Sequence, residues 1–320
     1  MDSGAAMRVA IVDQGTNSAR LLLAEVEGGV VRTIARRAAV TRLGRGVDEH
    51  RRLDAAAAQR TRECIAGYAR EIVAFAPERR LLIATSVLRD ARDGVAFLDR
   101  VAAEFDLPWQ VVSGSQEAAL SYRGAVSGAP TVRRPLLVVD IGGGSTELSV
   151  GEGARPSWSV SIDIGVVRLT ERFFATDPPR QGEWSAAEDA VARLLAAETA
   201  AGTVAVAAGI GVAGTITTLV AHKLALRAYD PRVVHGHFLS LADIERAIVA
   251  FRGMTSRERA ALPGIQRGRE DVIPAGALIA RAICRHFALQ GLCASEVDIL
   301  DGAALALAEG AAAAPALLTF

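Results

Sequence analysis

The stretch LLVVDIGGGSTELSVG, residues 136–151, runs from an apolar segment through an aspartate, three glycines and two hydroxyl residues into a second strand-like segment. An earlier stretch, VAIVDQGTNSARLLLAEV at residues 9–26, has the same order, and its Asp13 lies 127 residues before Asp140. Apolar runs on both sides of a glycine turn predict a pair of strands. A unit that recurs at this spacing predicts two similar α/β domains that face each other.

The rest of the chain alternates between helix and strand patterns. Spaced apolar residues predict helices near 55–75, 94–104, 117–126, 185–200, 214–226, 240–252 and 271–290, and a last helix from Asp301. Asp54 is suited to cap the first of these helices. Further strands are predicted at 30–40, 80–85, 109–112, 157–163 and 203–208. The small, proline and basic residues at 127–135 predict a linker.

Composition excludes several classes of protein. The 320 residues are 51% hydrophobic and 22% charged, which is too apolar for a disordered chain, and no long uncharged apolar run predicts a membrane span. The 36 basic and 36 acidic residues balance, so we expect no nucleic-acid partner. Three widely spaced cysteines and an N-terminus without a secretory pattern predict reduced thiols and a cytoplasmic location.

The basic residues are almost all arginines, because Lys223 is the single lysine. The chain therefore has no Gly-Lys-Ser/Thr phosphate loop and no second lysine for Schiff-base chemistry. Any phosphate group must be bound by backbone amides, arginines and a metal ion.

Three glycine-rich stretches compete as the binding site. Residues 13–18 and 140–147 each follow a predicted buried strand, and glycine lets successive N–H groups point toward one anion. A polar hairpin turn is the alternative for the first stretch, but two aligned copies favour a ligand with several phosphates. The third stretch, 209–214, matches GxGxxG and leaves a dinucleotide site open, with Asp230 as the ribose-binding acid.

Four acidic residues are candidates for chemistry. Asp13 and Asp140 end predicted strands, and Glu147 follows the second glycine stretch, so these carboxylates could hold Mg²⁺ together with water. Glu117 stands where a loop enters a helix and has no obvious salt-bridge partner in the local sequence. It is a candidate general base, and its alternative role is to stabilise the helix dipole.

Two arginines lie at turn-like boundaries. Arg89 follows Ala84-Thr85-Ser86, and Arg269 lies within GREDVI at 268–273. Solvated surface positions are the alternative for both, because arginines are so numerous in this chain.

The motifs occur in an order that resembles the exopolyphosphatase/guanosine pentaphosphate phosphohydrolase family. The matching segments span nearly the whole chain: DQGTNS at 13–18 with RLL at 20–22, ATS at 84–86 with RD at 89–90, SGSQEA at 113–118, DIGGGSTE at 140–147, DIGVVRLTE at 163–171, GVAGT at 211–215, GREDVI at 268–273, Ser295 and DG at 301–302. The chain is most similar to the short, two-domain actinobacterial members.

This resemblance implies a fold and an activity. The fold would be a pair of ribonuclease-H-like domains of the actin/hexokinase type with a cleft between them, at 7–128 and 135–300, and a final helix at 301–312 that packs back on the first domain. The activity would be hydrolysis of terminal phosphate from inorganic polyphosphate, with Mg²⁺ or Mn²⁺ as cofactor. The resemblance also suggests a homodimer.

The resemblance also implies roles for individual residues. Glu117 resembles the catalytic base that activates water, and Asp140 and Glu147 match acidic residues near the metal. The phosphate-binding positions would be Asn17, Ser18, Arg89, Gly143, Gly144, Ser145 and Arg269.

The sequence departs from the family pattern at a few positions and leaves other functions open. Gln116 replaces a frequent glutamate, the segment after Arg89 lacks a frequent asparagine, and the final domains of the longer enzymes, which help to bind long chains, are absent. A guanosine pentaphosphate phosphohydrolase is the alternative within the family. An actin-like nucleotide-binding kinase or sensor is the alternative outside it.

Overall fold

Two units make up the part of the chain that the computed structural model describes, residues 6–129, 132–200 and 205–310. Unit 1 comprises the described residues as far as Ser127 and those from Asp298 onward, and unit 2 extends from Gly128 to Val297. Two residues of the predicted linker, 130 and 131, and two of the predicted final helix, 311 and 312, lie outside the described residues.

Unit 1 is built on a five-stranded sheet. Its strands are β1 (Met7–Gln14), β2 (Ser18–Glu27), β3 (Val30–Val40), β4 (Arg79–Ala84) and β5 (Trp109–Val111). Its helices are α1 (Val47–His50), α2 (Ala55–Phe75), α3 (Ser86–Asp90), α4 (Gly94–Phe105), α5 (Gly114–Ser127) and, near the end of the chain, α13 (Ile299–Glu309).

The strand order of this sheet is β3-β2-β1-β4-β5. The first three strands are antiparallel because short turns join them, whereas β4 and β5 run parallel to β1 because helices precede them. Alternate residues of β1 therefore reach both faces. Val9 and Ile11 pack with residues of α13, and Ala10 and Val12 pack with residues of α2 and α4.

Close backbone packing joins α13 to α5. A Cβ at Gly124 would lie 1.8 Å from the carbonyl oxygen of Asp298, and one at Gly302 would lie 2.0 Å from that of Leu120. Glycine is required at these positions because any side chain would separate the helices. The last helix begins at Ile299, two residues before its predicted start.

Unit 2 contains the second copy of the repeat. Its strands are β6 (Leu136–Ile141), β7 (Thr146–Gly151), β8 (Trp158–Ile162), β9 (Ala208–Val212), β10 (Phe238–Ser240) and β11 (Gly291–Ala294). Its helices are α6 (Val166–Phe173), α7 (Gln181–Thr199), α8 (Ala213–Lys223), α9 (Pro231–Val234), α10 (Leu241–Arg252), α11 (Ser256–Ala260) and α12 (Ile273–His286).

The sheet of unit 2 has the order β8-β7-β6-β9-β11-β10. Its first five strands repeat the arrangement of unit 1, with an antiparallel β6-β7-β8 hairpin pair followed by the parallel strands β9 and β11. One apolar core holds the sheet against its helices and includes Trp184, Phe251 and Leu278. Among the described residues of the whole chain, no helix is long and apolar enough to cross a membrane.

The third glycine-rich stretch does not form the predicted loop. Gly209 and Gly211 lie inside β9, and α8 begins at Ala213, so the GxGxxG pattern spans a strand and the start of a helix. The glycines allow close packing, since a Cβ at Gly211 would lie 2.6 Å from the Ile216 side chain. The predicted strand at 203–208 is shifted: residues 203–204 lie outside the described part, and pairing begins at Ala208.

Candidate active site

The two glycine turns have the same backbone hydrogen bond at equivalent positions of the repeat. Gly15 donates its N–H to the carbonyl oxygen of Ser18 at 3.0 Å in unit 1, and Gly142 donates to that of Ser145 at 3.0 Å in unit 2. Both turns thus follow one pattern, as the sequence repeat predicts.

The carbonyl oxygens of the second turn are held by the start of α6. Val166 N–H donates to the oxygen of Gly142 at 2.9 Å, and Val167 and Arg168 donate to that of Gly143 at 2.9 and 3.2 Å. A Cβ at Gly165 would lie 2.3 Å from the carbonyl of Gly143, so this approach requires glycine. Gly165 lies in a segment matched by the family resemblance, but no local sequence pattern indicates this contact.

The N–H groups of α6 engage the carbonyl oxygens of the turn, whereas the amide N–H groups of the turn are available to another partner. Within the described residues, no hydrogen bond engages the N–H groups of Gly143, Gly144 and Ser145. Three successive amides at a glycine turn form a concave site with positive potential, which suits a phosphate group.

The first turn is held by the loop that follows β3. Gly44 N–H donates to the carbonyl oxygen of Thr16 at 2.8 Å, and Thr41 and Arg42 donate to that of Asn17 at 3.0 and 2.9 Å. The side-chain amide nitrogen of Asn17 is buried and has no acceptor among the described residues. Asn17 thus retains a donor for a ligand, and Ser18 is the first residue of β2.

The strand pairs beside the turns carry different charges. Asp13 lies directly opposite Arg20 across β1 and β2, whereas Asp140 lies opposite Glu147 across β6 and β7. Asp140 and Glu147 are both buried, and Ser161 Oγ donates to Glu147 Oε1 at 2.7 Å. Two facing carboxylates repel each other, and a divalent cation bound between them would offset this repulsion.

Asp13 has a different environment from Asp140. Arg20 donates from Nε and Nη2 to Asp13 Oδ2 at 2.8 and 2.5 Å, while Oδ1 is buried without a donor among the described residues. Burial raises the pKa of Asp13, and the charge of Arg20 acts in the opposite direction. One oxygen of this carboxylate is therefore fixed and the other can accept a further ligand.

Glu117 has a partner that the local sequence does not show. It lies in the first turn of α5, and Arg89 of α3 donates from Nη1 to Glu117 Oε2 at 2.8 Å and to the carbonyl oxygen of Val112 at 2.7 Å. The local sequence shows no partner because the fold brings in an arginine 28 residues away. The charge-assisted hydrogen bond from the guanidinium orients the carboxylate of Glu117.

Arg269 lies against the first turn of α8. A Cβ at Gly214 would lie 2.0 Å from Nη2 of Arg269, and Nε of Arg269 donates to Gln266 Oε1 at 3.1 Å. The last glycine of the third stretch therefore admits a guanidinium to the N-terminal end of a helix.

The chain is similar to known proteins over most of its length. The sequence profile of the Ppx/GppA phosphatase family matches residues 22–308. Exopolyphosphatase 2 of Mycobacterium tuberculosis is 40% identical over 317 residues, which cover 94% of this chain and 98% of that protein. A guanosine-5'-triphosphate,3'-diphosphate pyrophosphatase of Vibrio vulnificus is 31% identical over 305 residues, which cover 95% of this chain and 58% of that protein.

A solved structure is similar over almost the whole chain. The Aquifex aeolicus PPX-GPPA enzyme superimposes with a TM-score of 0.80 at 32% identity, over 94% of this chain and 99% of that chain. The predicted fold class, two α/β domains of the ribonuclease-H-like, actin/hexokinase type, is confirmed. The predicted resemblance is confirmed as well, and the chain belongs to the Ppx/GppA phosphatase family.

Proposed function

We propose that this protein is an exopolyphosphatase, which hydrolyses the terminal phosphate of inorganic polyphosphate with Glu117 as the base. One observation carries the proposal: the facing carboxylates Asp140 and Glu147 flank a glycine turn whose amides have no partner among the described residues. Such a site combines a place for a divalent cation with a place for phosphate oxygens.

The residues present fit a divalent cation, Mg²⁺ or Mn²⁺. Asp140 and Glu147 of unit 2 would hold it, and Asp13 of unit 1 is a further candidate ligand through Oδ1, the oxygen that Arg20 does not contact. The described residues contain no group of three or more His, Cys, Asp or Glu side chains arranged to hold a metal. Mg²⁺ does not need such a cage, because water and phosphate oxygens complete its shell. When bound, the cation would neutralise charge on the phosphate oxygens.

The amides and arginines would orient the chain of phosphates. The N–H groups of Gly143, Gly144 and Ser145 bind oxygens of the phosphoryl group, and Asn17 and Ser18 bind a neighbouring phosphate. Arg89 and Arg269 neutralise further negative charge and can bind two oxygens at once. Hydrolysis of a phosphoanhydride depends mostly on such positioning and charge stabilisation.

Glu117 would supply the proton transfer. A water oxygen forms a bond to the terminal phosphorus, and the bridging P–O bond breaks with its electron pair left on the penultimate phosphate. The proton of the attacking water passes to the carboxylate of Glu117. The products are orthophosphate and a polyphosphate one unit shorter.

Two further functions were left open by the sequence. Hydrolysis of guanosine pentaphosphate remains the alternative, favoured by the 31% identity to the Vibrio vulnificus enzyme. We favour polyphosphate as the substrate because the M. tuberculosis exopolyphosphatase matches this chain over nearly its full length, at 40% identity against 31% for the Vibrio vulnificus enzyme. Membership of a phosphatase family disfavours the kinase or sensor.

The deciding experiment measures phosphate release. Purified protein is given polyphosphates of several lengths, guanosine pentaphosphate, and ATP with a panel of sugars, each with Mg²⁺ or Mn²⁺. We expect the highest kcat/KM on a polyphosphate. A higher kcat/KM on guanosine pentaphosphate than on every polyphosphate length would replace this proposal with the alternative.

Location and assembly are part of the proposal. The three cysteines, Cys64, Cys284 and Cys293, are unpaired thiols, which supports a cytoplasmic protein. The homodimer implied by the family resemblance stays a prediction that light scattering can test.

A further inference from the structure

Five charged side chains in unit 1 form a network that extends from Asp13, a candidate metal ligand, to the last helix. This network, the Asp298 cluster, consists of Asp13, Arg20, Arg36, Asp298 and Asp301. Arg20 donates to Asp13 and, from Nη1, to Asp298 Oδ2. Arg36 donates to Asp298 Oδ1 at 3.3 Å and to Asp301 Oδ2 at 2.6 Å. The network thereby links three strands to the first turn of α13.

The three carboxylates of the cluster are buried, and its two arginines are partly exposed. Asp13, Asp298 and Asp301 are 4%, 4% and 3% exposed. Three carboxylates face two guanidinium groups, so the balance of charge is negative. A buried ion network of this kind adds little stability compared with apolar packing, because desolvation offsets the attraction. Stability alone therefore does not account for this network, whereas fixing the geometry of a neighbouring group would.

Asp298 is the member that joins the two arginines. Burial acts to raise its pKa, but the charges of Arg20 and Arg36 outweigh burial and lower it. It also caps α13, since its Oδ1 accepts the N–H of Leu300 at 3.0 Å. Asp298 is therefore an ionised anchor on a rigid helix.

The position of Arg20 indicates which group is fixed. Arg20 lies opposite Asp13 at the base of the hairpin that carries Asn17 and Ser18. Its Nε and Nη2 both bind Oδ2 of Asp13, which orients Oδ1 without a donor among the described residues. In unit 2 the residue opposite the aspartate is Glu147, so the cross-strand arginine is a feature of the first copy.

We propose that Asp298 is a positioning residue, which binds Nη1 of Arg20 and thereby holds Asp13 with its Oδ1 presented to a divalent cation. The inference rests on the proposed function, because it assigns Asp13 to the metal of that reaction. It adds that Asp298, the N-cap of α13, fixes through Arg20 the orientation of Asp13, the candidate metal ligand of the first hairpin.

The test is a double-mutant cycle in the full chain with Asp298→Asn, Arg20→Gln and both changes. Asparagine caps a helix as well as aspartate does, so Asp298→Asn removes the charge and keeps the cap. Asp54→Asn is the matched control, since Asp54 caps α2 through the N–H of Ala57. Binding of Mn²⁺ is followed by electron paramagnetic resonance without substrate, and kcat and KM are measured separately.

We expect Asp298→Asn to weaken Mn²⁺ binding by about tenfold and to lower kcat by about tenfold. The KM for polyphosphate should stay within about threefold of the wild-type value. The double variant should be no worse than Arg20→Gln, because Asp298 acts through Arg20. Asp54→Asn should match the wild type.

Two results would overturn the inference: Asp298→Asn behaving like Asp54→Asn, or effects of Asp298→Asn and Arg20→Gln that simply add. If Asp298→Asn fails to fold, Asp298→Glu takes its place in the cycle, since it keeps the charge and displaces it by one methylene. Absence of polyphosphate hydrolysis by the wild type would reject the proposed function, and the Mn²⁺ measurements would still decide the role of Asp298.

Discussion

Asp140 and Glu147 face each other across β6 and β7 at the register positions that Asp13 and Arg20 occupy across β1 and β2. The repeat has therefore kept its backbone and changed one charge, from an arginine in unit 1 to a glutamate in unit 2. An acid–base pair brings opposite charges together, whereas two facing carboxylates bring like charges together, and a bound cation would offset their repulsion. This difference places the main metal site of our proposal in unit 2.

Glu117→Gln tests the assignment of the base. The amide keeps the size of the side chain and its hydrogen bonding but cannot take a proton, so kcat should fall by about 10²- to 10⁴-fold. Binding of polyphosphate, measured at equilibrium, should remain close to that of the wild type. A variant with nearly normal turnover would show that another group is the base.

Asp140→Asn tests the metal site of unit 2. Removing one of the two facing charges should raise the Mg²⁺ concentration needed for half-maximal activity by about 10- to 100-fold, and EDTA should abolish activity of the wild type. Asp230→Asn is the control, because Asp230 caps the short helix α9 and asparagine preserves that cap. Full activity in EDTA would contradict a metal-dependent reaction.

Gly165→Ala tests the support beneath the second turn. Its Cβ would lie 2.3 Å from the carbonyl carbon and oxygen of Gly143, so the turn must move. We expect a stability loss of about 1–3 kcal/mol and a drop in kcat/KM of about 10²-fold, since misplacement by 1 Å is costly. Gly182→Ala in α7 meets nothing within 4 Å and should leave activity unchanged. Equal activity of the two variants would reject the role of the turn.

The two arginines should be distinguished by conservative replacements. Arg269→Ala and Arg89→Ala should each raise KM for polyphosphate by about 10- to 100-fold, the value of a charged hydrogen bond. Lysine should restore only part of the loss, because it cannot bind two oxygens with a planar fork. Arg89→Ala should also lower kcat, since Arg89 contacts Glu117. KM values that do not change with salt would argue against binding by charge.

Acid stability should depend on Asp243. Burial acts to raise its pKa, but hydrogen bonds from Ser240 and Lys223 outweigh burial and lower the pKa to about 2, from 3.8. A carboxyl group with a lowered pKa stabilises the fold at pH values above its pKa in the unfolded chain. This stabilisation is lost as the pH falls through its pKa in the folded protein. Urea unfolding should therefore show Asp243→Asn less stable than the wild type at pH 6, and this difference should shrink between pH 3.8 and 2. A constant difference would contradict this linkage.

Sequence reasoning succeeded where the signal is local. The structure confirms the paired strands around both glycine turns, the cap at Asp54 and the equivalence of the two copies. These features depend on residues that are neighbours in the sequence, such as alternating apolar residues and turn residues. The loop predicted at the third glycine stretch, residues 209–214, is wrong. Its glycines serve close packing against Ile216, which no local pattern distinguishes from a phosphate loop.

Contacts between distant segments could not be predicted. The pairing of Glu117 with Arg89 depends on how α3 meets α5, and that of Arg20 with Asp298 joins residues 278 positions apart. In a chain with 35 arginines, charge alone does not identify which arginine meets which acid. Only the tertiary structure shows which arginine and which carboxylate form each ion pair.

The three N–H donors that α6 directs at the carbonyls of Gly142 and Gly143 have a thermodynamic consequence. A run of three glycines would ordinarily lose much conformational entropy when it orders around an anion. Here folding of unit 2 has already ordered the turn, so that cost is met once, before any substrate arrives. Each turnover then begins with a preorganised turn, so the free energy of phosphate binding is not reduced by the entropy loss of ordering the backbone.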